Sequence, residues 1–396
     1  MTRAAGGGGS GSDDLARRAE EAVAGFTSTG SKAPEAMFLG PGGPTHLVRS
    51  SGARVLTADG LDLLDWTMAL GAVALGYAHP KVVEAVERAV RDGAVGPLPH
   101  RLEIEVAERL CAAYPGAAQA RFLKTGAEAV QAAVRIARAA TGRDRVVHAG
   151  YSGWLDGPTV GTGVPAATAA LWTAVPFDDV AALEAAVAEG SPPAAILLEP
   201  VVERAPSAAW LRTARRLAGE RTVLIFDEIK TGFRLGTGGA AQRWGVTPDL
   251  AVLGKALANG FPLAAVVGPA DLMARVRSTW ISSTLATEFV ALAAANAVLD
   301  VWGETDVAAH LRLIGRAMLD GLAPLAASGL EVCGLPEMWF LRFGDSGRER
   351  RFLLGCVRRG VLLKRGGYNF PSLSHQRGDV DETLKAVRDV LAEVLR

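Results

Sequence analysis

Two residue types with complementary chemistry stand 28 positions apart in this chain, a carboxylate pair at Asp227-Glu228 and a lysine at Lys255. The pair ends an apolar run, Val223–Phe226. Acidic residues just past a buried parallel strand lie at the carboxyl edge of a sheet, where ligands bind. An aspartate there can equally cap a turn. Lys255 follows a second apolar run in Leu253-Gly254-Lys255-Ala256. A lone lysine at a strand end is usually a solvated charge. Its neighbours Ala251, Val252, Leu253, Ala256 and Leu257 instead predict a desolvated amine, and desolvation favours the neutral form that Schiff-base chemistry requires. Upstream, Thr125-Gly126-Ala127-Glu128 opens a helical pattern. Free N–H groups at a helix start, with glycine permitting close approach, suit a phosphate, though an ordinary capped helix has the same sequence. Tyr151-Ser152-Gly153 sets an aromatic ring in a glycine-rich turn, where it could face a planar ligand or simply pack.

These residues need a frame to hold them. From about residue 80 the pattern alternates helices (Pro80–Asp92, Glu103–Ala113, Ala127–Thr141, Val180–Ala188, Ala209–Glu220) with strands (Arg145–His148, Ala170–Val175, Ala194–Glu199, Thr222–Asp227, Leu250–Leu253). Strands apolar on both faces between helices predict an α/β layered domain with a mostly parallel sheet. A long helix over Leu285–Trp302 closes it. A helix over Asp306–Ala323, strands at Leu330–Cys333, Met338–Phe343 and Val361–Leu363, and a last helix over Asp379–Leu395 join the N-terminal segment. That segment holds a helix over Asp13–Ala24 and a hairpin around Asp59-Gly60. The expected organisation is a flexible leader over 1–12, a small α+β domain from 13–68 and 303–396, and a large domain over 69–302.

Composition narrows the partners. Lys plus Arg and Asp plus Glu each number 42, so no basic surface calls for nucleic acid or an anionic membrane. Cys111, Cys333 and Cys356 are far apart and form no CxxC pair, which predicts reduced thiols and no zinc site. No apolar run is long enough to span a bilayer and no signal peptide is visible, so a cytoplasmic location is expected. Neither GxGxxG nor GxxxxGK[ST] occurs, and Gly236–Gly239 follows a loop rather than opening a helix.

Taken together, Gly126-Ala127, Tyr151-x-Gly153, Glu199-Pro200, Asp227-Glu228, Gly254-Lys255 and Ser283-Thr284 resemble the class III aminotransferases of pyridoxal-phosphate fold type I. The resemblance runs from about residue 45 to the C-terminus. It is strongest to the glutamate-1-semialdehyde aminomutase branch, in LIFDEIKTGFR (Leu224–Arg234), GVTPDLAVLGKALANGFP (Gly245–Pro262), LGYAHPKVVEAV (Leu75–Val86) and PSLSH (Pro371–His375). It implies an enzyme with pyridoxal 5′-phosphate as cofactor. Lys255 would carry the cofactor as a Schiff base and then act as general base, and Asp227 would pair with the ring nitrogen. Ile229 and Tyr151 would cover the two faces of the ring. Thr125, Gly126 and Ala127 would hold the phosphate, completed by Thr284 from the second subunit of a homodimer. Small amines and carbonyl compounds would be the substrates, and no metal is implied.

Departures from the branch bear on the substrate. Gly40–His46 has no arginine where the aminomutase uses one for a carboxylate. Ala69-Leu70 replaces its Ser-Trp pair, Ser152 its histidine after the aromatic, and Glu288 a glycine or asparagine. Ser152, Glu199, Lys230 and Glu288 are the candidate substrate contacts, and Arg234 and Arg365 remain possible carboxylate ligands. Lys230 stands where many relatives carry glutamine or methionine near the cofactor's phenolic oxygen. Its ammonium would stabilise a phenolate there, or it would point to solvent. The expected activity is amino transfer between a donor and a ketone or aldehyde, in secondary metabolism of amino sugars or unusual amines. An intramolecular aminomutase is the alternative, and a non-catalytic binding protein on the same fold a weaker one.

Overall fold

The computed structural model describes residues 11–159 and 161–394, in two compact units. The first is built from the chain up to Leu70, Gly76–His79 and the chain from Leu311; the second from Gly71–Leu75 and Pro80–His310.

The first unit opens with helix α1 (Gly11–Ala22). Gly11 and Ser12, expected to end the leader, are helical because Asp59 captures Ser12, accepting from both its backbone N–H (2.8 Å) and its hydroxyl. The rest of the leader lies outside the described residues. Strands β1 (Leu47–Ser51), β2 (Arg54–Thr57) and β3 (Asp62–Asp65) form an antiparallel meander.

The second unit is a seven-stranded sheet between helices. Its strands are β4 (Gln119–Leu123), β5 (Val146–Ala149), β6 (Trp172–Ala174), β7 (Ala195–Leu198), β8 (Val223–Asp227), β9 (Leu250–Leu253) and β10 (Ala264–Gly268), in the order β4-β10-β9-β8-β7-β5-β6. Strand β10 runs antiparallel to both β4 and β9; the other pairs are parallel. Strands β5, β7, β8, β9 and β10 are buried at every position, which explains their unbroken apolar runs. Helices α2 (Pro80–Arg91), α3 (Arg101–Ala113), α4 (Gly126–Thr141), α5 (Val180–Ala188), α6 (Ala208–Ala218), α7 (Gly239–Trp244) and α8 (Phe289–Glu304) cover the sheet. Helix α4 lines one face of the sheet, bringing Ala129, Val130, Ala133, Val134 and Ile136 into one core with Val146, Leu197, Ile225 and Val252.

Two expectations in this unit shift. The strand expected over Ala170–Val175 is extended only over Trp172–Ala174, after a short helical turn at Ala166–Ala169. The long helix does not begin at Leu285: a 3-10 turn covers Thr284–Thr287, and α8 starts at Phe289 because Glu288 caps it.

The first unit is completed by α9 (Val307–Leu322, from Leu311 onward), the hairpin β11–β12 (Leu330–Leu335, Met338–Phe343), α10 (Ser346–Val357), β13 (Val361–Leu362) and α11 (Arg377–Val394). Strand β13 pairs in parallel with β3, joining N- and C-terminal segments in one sheet. Trp66, Trp339, Phe352 and Met318 anchor its core. No helix among the described residues is long and apolar enough to cross a membrane.

Candidate active site

Parallel strands all end on one edge, so the residues that follow β4, β5, β7, β8 and β9 converge there. Asp227 is the last residue of β8 and pairs in register with Val252 of β9. Lys255 comes three residues later, after Gly254. The strand order therefore brings lysine and aspartate to neighbouring strand ends.

Lys255 opens a short 3-10 turn in a left-handed conformation, φ 47°. For a side chain bearing a Cβ this costs about 1–2 kcal/mol, and such strain gathers at functional sites. Burial holds its amine well below the usual lysine range, at about 8, and the positive charges of Lys230 and Arg234 push the same way against Glu199 and Asp227. Asp227 is 4% exposed. Burial, reinforced by the negative charge of Glu199, pushes its carboxyl up to about 7, opposed by the Ile229 N–H and by Lys255 and Lys230. Its Oδ1 accepts the Ile229 N–H at 3.1 Å. The result is a buried acid whose ionised form calls for a cationic partner, beside an amine with a substantial neutral fraction near pH 8.

Thr125 caps α4 in a full capping box: its hydroxyl accepts from the Glu128 N–H, while the Glu128 carboxylate accepts from the Thr125 N–H at 2.8 Å. The helix start is closely approached from two sides. A Cβ on Gly126 would meet Ile229 Cδ1 at 2.5 Å, and one on Gly153 would meet Ala127 Cβ at 2.8 Å and Cα at 2.9 Å. Gly126, Ala127, Gly153 and Ile229 thus form one cradle. Gly153 has φ 100°, which only glycine adopts without strain.

Tyr151 follows β5 and Gly150, with 69% of its surface exposed, and its backbone N–H donates to Glu199 Oε2 at 3.1 Å. Ser152 is buried, and its Oγ has no hydrogen-bond partner among the described residues. Lys230 is largely buried rather than solvated, and its Nζ pairs with Glu199 Oε1 at 2.5 Å.

Three candidates have structural partners instead. Glu288 caps α8, accepting from the Val290 and Ala291 N–H groups, and pairs with Lys124 at 2.6 Å. Arg234, fully buried, donates to the Gly71 and Lys230 carbonyls. In the first unit Arg365 pairs with Glu349 at 3.3 Å. Thr284 lies exposed in its 3-10 turn.

Sequence reasoning missed the role of Glu228. It is fully buried and accepts from Tyr114 Oη (3.2 Å), from the Thr231 hydroxyl, and from the Ala240 and Ala241 N–H groups (2.8 and 2.9 Å) at the start of α7. Successive residues of an extended strand face opposite ways, and that alternation already separates Asp227 from Glu228. Asn259 was missed as well; its Oδ1 accepts from the Ala74 and Leu75 N–H groups and holds that turn against the loop after Lys255.

The family model described as Aminotransferase class-III matches residues 41–163 and 162–391. The chain belongs to this family. It is 35% identical over 395 residues to the glutamate-1-semialdehyde 2,1-aminomutase of Thermomicrobium roseum, covering 89% of this chain and 92% of that protein. With the enzyme of the same name from Roseiflexus castenholzii it shares 34%, covering 92% and 94%. Among solved structures, the FumI protein of Sphingopyxis sp. MTA144 in its PLP internal aldimine form superposes with a TM-score of 0.92 at 27% identity, over 98% of this chain and 97% of that one. A β-phenylalanine aminotransferase from Variovorax paradoxus gives 0.85 at 26%, over 96% and 94%. The fold is fold type I and the cofactor is pyridoxal 5′-phosphate.

The residues present fit that cofactor. A primary amine held partly neutral, a buried carboxyl that needs a cation, and a helix N-terminus in a glycine cradle match its aldehyde, ring nitrogen and phosphate.

Proposed function

We propose that this class III enzyme is an intermolecular aminotransferase, moving an amino group from a donor amine to a separate ketone or aldehyde. The observation that carries amino transfer is the partly neutral Lys255 amine just past the end of β9, the strand beside the one that ends in buried Asp227. Lys255 would bind the cofactor covalently and Asp227 would hold a proton on its ring nitrogen. The Gly126 and Ala127 N–H groups, with Thr125, would take the phosphate; Ile229 and Tyr151 would lie on either side of the ring. When bound, the cofactor supplies an electron sink for the carbon that bears the amine. Lys255 Nζ would be the base that takes the proton from that carbon, and an amine held at about 8 suits the task. Thr284 would complete the phosphate site of a second subunit, making the active form a homodimer.

Intermolecular transfer is favoured by the residues that depart from the aminomutase pattern. Thr45-His46 and Ala69-Leu70 line one cavity of about 200 Å³ in the first unit, together with Met37, Phe38, Leu63 and Tyr77. Neither segment carries an arginine for a substrate carboxylate, which supports an uncommon amine, such as an amino sugar or other secondary-metabolic amine, over glutamate semialdehyde. The tie of Arg234 to two backbone carbonyls points the same way. A second reading, an intramolecular 2,1-aminomutase, is supported by the names of the curated relatives.

Stoichiometry separates them. An aminotransferase given a donor amine alone releases about one carbonyl product per subunit and stops until a carbonyl acceptor is added. An aminomutase turns over continuously on a single substrate. Sustained turnover without an acceptor would replace the first reading by the second.

A further inference from the structure

The Lys230–Glu199 pair has no part in the chemistry described so far, yet it stands among the groups that perform it. Both side chains are nearly buried, at 10% and 11% exposure, and the Nζ–Oε1 separation is 2.5 Å. The second oxygen, Glu199 Oε2, accepts the Tyr151 N–H at 3.1 Å. A Cβ on Gly150 would meet Glu199 Cβ at 2.5 Å and Oε2 at 2.7 Å, so the carboxylate is pressed against the turn that carries Tyr151. One ion pair therefore ties together the segments that follow β5, β7 and β8.

Burying two charges is costly, and replacing such a pair by apolar residues is often neutral or stabilising. Stability alone gives weak reason for it here. Its position gives a better one. We propose that Lys230 is a positioning residue for amino transfer: by neutralising Glu199 it keeps that carboxylate locked on the Tyr151 backbone, and the pair sets the charge balance around Lys255. The charged groups acting on the Lys255 amine are Lys230, Glu199, Asp227 and Arg234, with Lys230 the largest contribution after burial. Removing Lys230 takes away a repulsive charge and also unpairs an attractive one, so both changes favour a protonated Lys255. Removing Glu199 does the reverse.

This inference rests on the assignment of Lys255 as the reacting amine, but its test does not require turnover. In cofactor-free protein, the pH dependence of Lys255 modification by a small amine-directed acylating reagent, read on the Lys255 peptide by mass spectrometry, reports the amine's titration directly. The wild-type midpoint is expected near 8. Lys230→Met should raise it by about one pH unit, the scale of one neighbouring charge at a high effective dielectric constant. Lys230→Arg should restore it, and Glu199→Gln should lower it. The double variant Lys230→Met with Glu199→Gln should return close to wild type, because the paired charges leave together. That ordering distinguishes electrostatic positioning from packing, which would perturb the double variant most. Glu199→Gln keeps the test decisive if Lys230→Met fails to fold. Midpoints unchanged across the folded variants would overturn the proposal and leave the aminotransferase assignment standing. Failure of that assignment would appear instead in the product stoichiometry of the wild-type enzyme.

Discussion

Asp227 and Glu228 are consecutive at the end of β8, and their carboxylates share no hydrogen-bond donor among the described residues. Asp227 takes the Ile229 N–H and sits in the field of Lys255, Lys230 and Glu199. Glu228 takes Tyr114, Thr231 and the first N–H groups of α7. One carboxylate lies among the charged groups at the strand ends, and its neighbour fastens the scaffold behind it.

The two should therefore fail differently. Glu228→Ala strands the Tyr114 and Thr231 hydroxyls and two helix N–H groups in a buried space, at a cost of at least about 3 kcal/mol. Thermal unfolding of cofactor-free protein should show a large loss for Glu228→Ala and none comparable for Asp227→Asn. Equal losses would remove the division of labour.

Asp227 also gives the cofactor-free protein a defined pH dependence. Its folded-state titration at about 7 lies above the ordinary 3.8. A raised carboxyl contributes fully below the unfolded value, and that contribution is lost as pH rises through the folded one. Stability relative to Asp227→Asn should fall between about pH 4 and pH 7 and level off above. At about 1.4 kcal/mol per pH unit, the difference has an upper limit of about 4 kcal/mol. Lys255 is charged in both folded and unfolded states across that window and does not contribute. Denaturation of both proteins from pH 4 to 8 checks this; parallel profiles would contradict a buried, ionisable Asp227.

The chemistry-bearing strand ends were legible because buried parallel strands leave unbroken apolar runs, and β8 and β9 end at the residues expected. Strands β4 and β10 were not. Gln119-Ala-Arg-Phe-Leu123 carries polar residues at its start, and Ala264–Gly268 is short and opens on two alanines, a weak strand signal despite the Asn259-Gly260 and Gly268-Pro269 turns that flank it. The start of α8 was misplaced at Leu285 because Glu288 reads as an interruption of an apolar run, whereas its carboxylate is the cap that begins the helix. The Lys230–Glu199 pair had no signature at all. Its partners lie 31 positions apart, and their meeting follows only from the pairing of β7 with β8.

The glycine cradle at α4 makes a graded prediction. Alanine at Gly153 would have to adopt φ 100° and overlap Ala127, so the α4 N-terminus must shift. Strain of about 1–3 kcal/mol at this point should weaken pyridoxal-phosphate binding by about tenfold or more. Gly142→Ala is the control. Gly142 also has a positive φ, 67°, but sits at the far end of α4 with open space around it. Both variants should lose stability, and only Gly153→Ala should lose cofactor affinity in equilibrium dialysis.

Glu288, a candidate substrate contact from its sequence position, is expected to act as a helix cap. Glu288→Ala removes the acceptor for the Val290 and Ala291 N–H groups and leaves Lys124 without its carboxylate. The loss should be about 1–2 kcal/mol of stability, with Glu288→Asp recovering part of it because aspartate is a strong cap. A capping residue predicts KM for the donor amine within about twofold of wild type in both variants, since an interaction absent from substrate binding leaves KM alone. Lys124→Met should reproduce the charge-pair part of the stability loss and likewise spare KM. If KM rises severalfold in Glu288→Asp while stability holds, the carboxylate touches substrate and the capping role is secondary.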